Sequence, residues 1–228
     1  MGLTLAERIT EVQDRIAQAA ERSGRSAAEI TLIAVSKTVS RSVVDEAYAL
    51  GLRDFGENRV LDCVDKYADP LPPDARLHLI GQLQTNKAKA AVELFQVVHS
   101  VDRMSLITAL EKQGVAQSRR LDVLLQVNVA GEEQKAGCSP DEACTLLGAI
   151  SESSTLDVRG LMTMAPLVGD PEATRPVFAA LRSLRDRLTG EVGIELPWLS
   201  MGMTNDFEVA IEEGATHVRV GRAIFEGS

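Results

Sequence analysis

The sequence predicts an α/β protein, a single-domain (β/α)8 TIM barrel. Two observations carry that reading. Apolar, strand-like runs alternate with amphipathic, helix-like runs about eight times along the chain, and alternating βα units build a parallel sheet. The length of 228 residues, 45% of them hydrophobic, suits eight such repeats around one core. No shift of composition and no Gly/Ser linker divides the chain, so residues 1–228 read as one domain. The rival fold, an open doubly wound sheet, usually carries a Gly-rich fingerprint after its first strand. Here that strand runs into Ser36-Lys37-Thr38, without glycine.

Each element follows from local pattern. Leu5, Ile9, Val12, Ile16 and Ala19 fall at helical spacing over 4–22, with Thr4 and Glu7 as a capping box and Gly24 past the end. Residues 31–36 read as a buried strand. Val43, Ala47 and Leu50 mark a helix closed by Gly51, and a short strand lies near Asp54-Phe55-Gly56. A helix over 57–67 leads to the Pro-rich loop DPLPPD (69–74). Strand 76–81, helix 85–95, strand 96–101 and helix 102–114 come next. Strand 121–129 is the clearest in the chain. Ser139, Pro140 and Glu142 start the following helix. Strand 156–164 precedes a helix from Asp170-Pro171 to about Leu188, ending before Gly190. Strand 197–202, helix 205–214 with Gly214 at its end, strand 217–221 and a short helix near Ala223-Ile224-Phe225 complete the chain.

Charge narrows the function. With 33 acidic against 24 basic residues the net charge is −9, which disfavours nucleic acid and anionic membrane as partners and requires any anion site to be built locally. No apolar run is long enough to span a membrane, and MGLTLAERIT has no basic n-region or apolar h-region of a secretory signal. The three cysteines, Cys63, Cys138 and Cys144, form no CxxC pair and read as reduced thiols in a cytoplasmic protein. His78, His99 and His217 have no metal-ligand spacing; each reads as a packed or surface histidine.

In a barrel the active site lies at the C-terminal ends of the strands. Lys37 stands there after the first strand, Glu57 and Asn58 after the second, and Gln82 after the third. The seventh and eighth strands lead into Ser200-Met201-Gly202-Met203-Thr204 and Gly221-Arg222, the loops that often bind phosphate in barrels. Glycine there lets backbone N–H groups approach an anion. Strand alternation puts His217, Arg219 and Gly221 on the inner face, with Val218 and Val220 toward the helices. A buried arginine needs a partner, either a ligand or a carboxylate. Lys37 can snorkel to solvent or, if desolvated, attack a carbonyl as a Schiff-base lysine. The matching ligand is a phosphorylated aldehyde or ketone: pyridoxal 5′-phosphate (PLP), or a sugar phosphate in an aldolase-type enzyme. Lys87, Lys89 and Lys135 read as a solvated face, and Met162, Met164, Met201 and Met203 as soft packing near the site.

Several blocks, in order and over nearly the whole length, carry a resemblance: LIAVSKTVS, DFGENRV, HLIGQLQTNK, VHSVDR, QVNVAGEEQKAG, RGLMTMAP, LSMGMTNDFEVAIEEGATHVRVG and AIF. The chain resembles the YggS/PROSC family of PLP homeostasis proteins. That resemblance implies a monomeric barrel similar to the alanine racemase N-terminal domain, with PLP held as a Schiff base on Lys37. It also implies a phosphate held by Ser200 and the backbone around Met201, Gly202, Gly221 and Arg222, with Asn58 lining the ring and Arg219 facing the ring nitrogen. An arginine there weakens the electron sink. Many members carry a hydroxyl residue where this chain has Arg222. Racemases of this fold use a second base, a tyrosine from a partner's second domain. This chain's tyrosines, Tyr48 and Tyr67, are not at strand ends. The expected function is therefore a non-catalytic PLP carrier in vitamin B6 homeostasis, with PLP-dependent apo-enzymes as recipients. The alternative is a PLP-dependent enzyme acting on a small amino acid, a weak racemase or lyase.

Overall fold

A computed structural model describes residues 2–131 and 136–226, in which eight parallel strands close into a barrel in sequence order. The strands are β1 (Thr31–Val35), β2 (Asp54–Glu57), β3 (Arg76–Leu79), β4 (Val97–Val101), β5 (Leu121–Gln126), β6 (Leu156–Met162), β7 (Trp198–Met203) and β8 (His217–Val220). The helices are α1 (Leu5–Arg22), ahead of β1, then α2 (Arg41–Ala49), α3 (Val60–Lys66), α4 (Ala88–Leu94), α5 (Met104–Gln117), α6 (Pro140–Ser151), α7 (Arg175–Val192), α8 (Phe207–Glu212) and α9 (Arg222–Phe225). The expected capping boxes form at Thr4/Glu7 and Ser139/Glu142. Helix α1 packs its apolar stripe on α8 and α9. Arg15 pins it there, bidentate to Glu208 and over the Phe207 ring.

Two glycines expected to stop helices do not. Helix α5 runs through Gly114, where a Cβ would lie 2.5 Å from Thr155 Oγ1; the glycine makes room for a neighbouring loop. Helix α7 passes Gly190 and stops at Val192, because Gly193 takes φ 70° as the left-handed residue that ends the helix. Strand ends differ for a shared reason. The expected strands 76–81, 121–129 and 156–164 lose ladder pairing at Leu79, Gln126 and Met162. Single hydrogen bonds carry each strand one residue further, from Ile80, Val127 and Thr163 to the neighbouring strand, before the chain turns away at the barrel rim.

There are two cores. Outward strand residues such as Phe55, Leu77, Val123, Val218 and Val220 pack with the helices in one large cluster. Inside the barrel the apolar cluster is small: Val97, Leu124 and Met162, with Trp198 packed on it. Trp198 closes the strand-start end, its ring 5.7 Å from the Arg76 guanidinium and 5.8 Å from that of Arg159. Those arginines pair with Asp54 and Asp122. Barrel interiors are usually filled by branched apolar residues. This one also holds His78, His99, His217, Ser200 and Arg219, each at most 3% exposed.

Candidate functional site

At the C-terminal end of the barrel lies an open cleft of about 650 Å³. Five of the eight residues expected from sequence line it: Lys37, Asn58, Arg219, Gly221 and Arg222. Lys37 sits two residues beyond β1 and is exposed, so in this form it snorkels rather than being desolvated.

Ser200, Met201 and Gly202 do not line the cleft. The ladder explains why. Between Ser200↔His217 and Met203↔Arg219, β7 advances three residues while β8 advances two, which is a β-bulge. Gly202 occupies it at φ 89°, and a Cβ there would lie 2.6 Å from Ala210 Cβ and 2.9 Å from Phe207 Cα. This glycine lets β7 pack on α8. The extra residue carries the rim onward, so Met203, Thr204, Asn205 and Asp206 line the cleft in place of 200–202. Met201 and Met162 are buried in the cores, whereas Met203 and Met164 reach the cleft.

The two turns after the neighbouring strands β7 and β8 lie side by side on the site. Asp206 accepts from Met203 N at 2.6 Å and folds the first turn. Arg222 donates to Asn205 Oδ1 at 3.3 Å and joins the turns. Among the described residues the backbone N–H groups of Thr204, Asn205 and Arg222 have no partner. They present an anion with a ready set of donors.

Behind Lys37 and Asn58, between the strand ends and α3, lies a buried polar hub that the sequence did not reveal. Glu57 Oε1 accepts from Ser36 Oγ at 2.7 Å, Tyr67 Oη at 2.8 Å and Lys66 Nζ at 2.8 Å. Lys66 also donates to the Ser36 carbonyl at 2.7 Å. Ser36 and Glu57 immediately precede Lys37 and Asn58, so the hub ties the two site residues to one another. Burial and the Glu57 charge hold the Tyr67 proton in place. Neither Tyr67 nor Tyr48 lines the cleft. Gly81 completes this side; a Cβ there would lie 2.1 Å from the Asn58 carbonyl oxygen.

The three histidines converge below the cleft. His78 Nε2 lies 2.9 Å from Asp54 Oδ1, His78 Nδ1 2.9 Å from His99 Nε2, and His99 Nδ1 2.9 Å from Ser200 Oγ. Arg219 donates to Ser200 Oγ at 2.7 Å and to the Thr163 carbonyl at 2.9 Å. Arg219 thus finds neutral oxygens, with no carboxylate in salt-bridge range among the described residues. Burial lowers its pKa to about 10, so it stays a cation at neutral pH. Lys87 and Lys89 stand outside the cleft, and Lys135 lies outside the described residues.

Burial also lowers all three histidines, His99 well below its usual value and His217 to about 3, although Asp54 pulls His78 the other way. In the unfolded chain they titrate near 6.5. Between those values the unfolded state binds more protons, so this stability is complete above about pH 6.5 and is lost as pH falls toward the folded values. Each histidine contributes a slope of about 1.4 kcal/mol per pH unit. Asp54, with its pKa lowered, adds to the loss only below the usual carboxylate range. Asp206, raised by burial, opposes the loss just above the usual carboxylate value, where the folded state holds a proton that the unfolded chain has released. Urea unfolding at pH 7, 6 and 5 is expected to show a stepwise fall; a flat profile would contradict neutral, buried histidines.

Residues 10–228 match the family model described as alanine racemase, N-terminal domain. The chain is 44% identical over 223 residues to the pyridoxal phosphate homeostasis protein of Aquifex aeolicus, covering 98% of each chain. It is 43% identical over 222 residues to the protein of that name from Pseudomonas aeruginosa, covering 97% of this chain and 95% of that one. Among solved structures it is similar to PipY of Synechococcus elongatus PCC7942 with PLP bound. The TM-score is 0.85 at 36% identity, over 97% of this chain and 100% of that one.

Proposed function

Because this chain belongs to the family of pyridoxal phosphate homeostasis proteins, built on the alanine racemase N-terminal domain, we propose that its cleft binds PLP and that the protein serves PLP homeostasis without catalysing a reaction. One observation carries the reading: an accessible amine, Lys37, and unpartnered N–H groups on two neighbouring turns line the same cleft. A cleft of about 650 Å³ is of the size that holds cofactors, and its donor set suits a phosphorylated aldehyde.

The residues divide the work. Thr204, Asn205 and Arg222 hold the phosphate, with Gly221 letting the second turn come close. Their role goes beyond the expectation for Ser200, Met201 and Gly202, which support the turn from below. Asn58 lines the ring and Arg219 faces its nitrogen, where a cation opposes ring protonation. PLP, when bound, would supply an electrophilic aldehyde, and Lys37 is the amine on the cleft that would face it. Lys37 is exposed, which suits loading and unloading. A racemase needs a second base opposite the lysine. Of the carboxylates on the cleft, Asp206 is committed to its turn, and Glu226 is exposed at the edge. In this reading the carrier is a monomer in the cytoplasm, where its three unpaired thiols stay reduced, and it delivers PLP to apo-enzymes.

The test is to titrate the protein with PLP and follow absorbance, then reduce with borohydride and map the label. A long-wavelength band removed by borohydride, with a phosphopyridoxyl mass on the Lys37 peptide, is the expected result. No band at saturating PLP would reject the reading. Turnover across an amino-acid panel above that of free PLP would replace the carrier by an enzyme.

A further inference from the structure

The hydrogen-bonded chain inside the barrel has ends of fixed polarity. Asp54 is held ionised by His78 and Arg76, so it only accepts. Its neighbour His78 must therefore donate from Nε2. A neutral His78 then accepts at Nδ1, which makes His99 donate from Nε2 and accept at its own Nδ1. Ser200 consequently donates its hydroxyl proton to His99. At the other end a guanidinium can only donate, and Arg219 does so to Ser200 Oγ. Both ends impose the same direction, so every proton along Arg219–Ser200–His99–His78–Asp54 has one place. The charged groups that face this chain are Asp54, Arg76 and Asp122 at the strand-start end and Arg219 and Asp206 at the cleft. His217 stands beside His99, its ring centre 6.3 Å away, outside the relay.

We propose that this one-directional relay holds the Arg219 guanidinium in place for the cofactor ring, which makes His99 a positioning residue although it does not line the cleft. The role rests on the reading of the cleft as a PLP site. The Ser200 hydroxyl proton is committed downward to His99, so Ser200 serves Arg219 and has no proton to offer a phosphate. The relay also joins the cation at the cleft to a carboxylate at the opposite end of the barrel through neutral links. That arrangement satisfies the N–H groups of a buried arginine on neutral oxygens, without a salt-bridged carboxylate.

Two measurements test it. The chain has three histidines, so long-range proton–nitrogen correlation spectra of histidine-labelled protein without cofactor resolve each ring. His78 and His99 are both expected as neutral Nε2–H tautomers. An Nδ1–H tautomer or an imidazolium at either would overturn the relay, and this result does not depend on PLP binding or on any variant folding. The second compares His99→Leu with His99→Asn. Both lose the bond to His78, but the asparagine oxygen can still accept from Ser200. His99→Leu is expected to weaken PLP binding by about tenfold and to shift the absorbance band, with His99→Asn close to the parent protein. Equal behaviour of the two variants, whether both unchanged or both weakened, would overturn the positioning role. Failure of the parent protein itself to bind PLP would defeat the cofactor reading while leaving the tautomer result standing.

Discussion

Lys37→Ala is expected to abolish the borohydride-trapped adduct and the long-wavelength band while leaving the fold intact. The side chain is exposed and lies beyond the last paired residue of β1. Its removal therefore costs little, within about 0.5 kcal/mol or about 1–2 °C in Tm for a chain of this size. Residual PLP binding, held by the turn N–H groups alone, should weaken by at least about tenfold, or about 1.4 kcal/mol. Lys37→Arg sharpens the test. It keeps the positive charge but is not a nucleophilic amine, so it should lose the band as completely as alanine. An arginine variant that still forms a reducible adduct would move the reactive amine elsewhere, with Lys66 the nearest candidate behind the cleft.

Glu57→Gln should have the largest effect on stability. One buried carboxylate oxygen serves three donors, and the ion pair with Lys66 has side chains only 3% and 14% exposed. Losing the charge leaves the Lys66 ammonium without its counter-ion, at about 3–5 kcal/mol for breaking a buried pair, or roughly 10 °C in Tm. PLP affinity should fall as well, because the hub sets the backbone just ahead of Lys37 and Asn58. A double variant with Lys66→Met, followed by thermal unfolding, is expected to recover part of the loss, since the uncompensated charge is then gone. A Glu57→Gln protein that melts within about a degree of the parent would show that the hub is not the keystone assigned to it.

Much of this was legible along the chain. Capping boxes at Thr4/Glu7 and Ser139/Glu142, the period of α1, and apolar runs ending at polar pairs such as Ser36-Lys37 are local signals, and local signals are written in adjacent residues. They were enough to predict a barrel of parallel strands and to point to its C-terminal rim. The inward turn of Arg219 followed from alternation alone. The stretch after β7 that lines the cleft lies a few residues beyond Ser200, Met201 and Gly202, because a β-bulge at Gly202 has no signature distinct from a turn glycine. Gly114 and Gly190 look like helix stops for the same reason. A glycine's purpose depends on what packs beside it.

By itself the sequence determined the fold class and the family, since each rests on short-range pattern or on several blocks in order. Tertiary structure alone decided that two histidines from different strands, His78 and His99, link Asp54 through Ser200 to Arg219, and that Glu57 gathers Ser36, Lys66 and Tyr67 behind the site. Both arrangements depend on strand register around a closed barrel, where a shift of one residue turns a side chain from the inside to the outside. That register is set by the packing of all eight strands together and by no single segment.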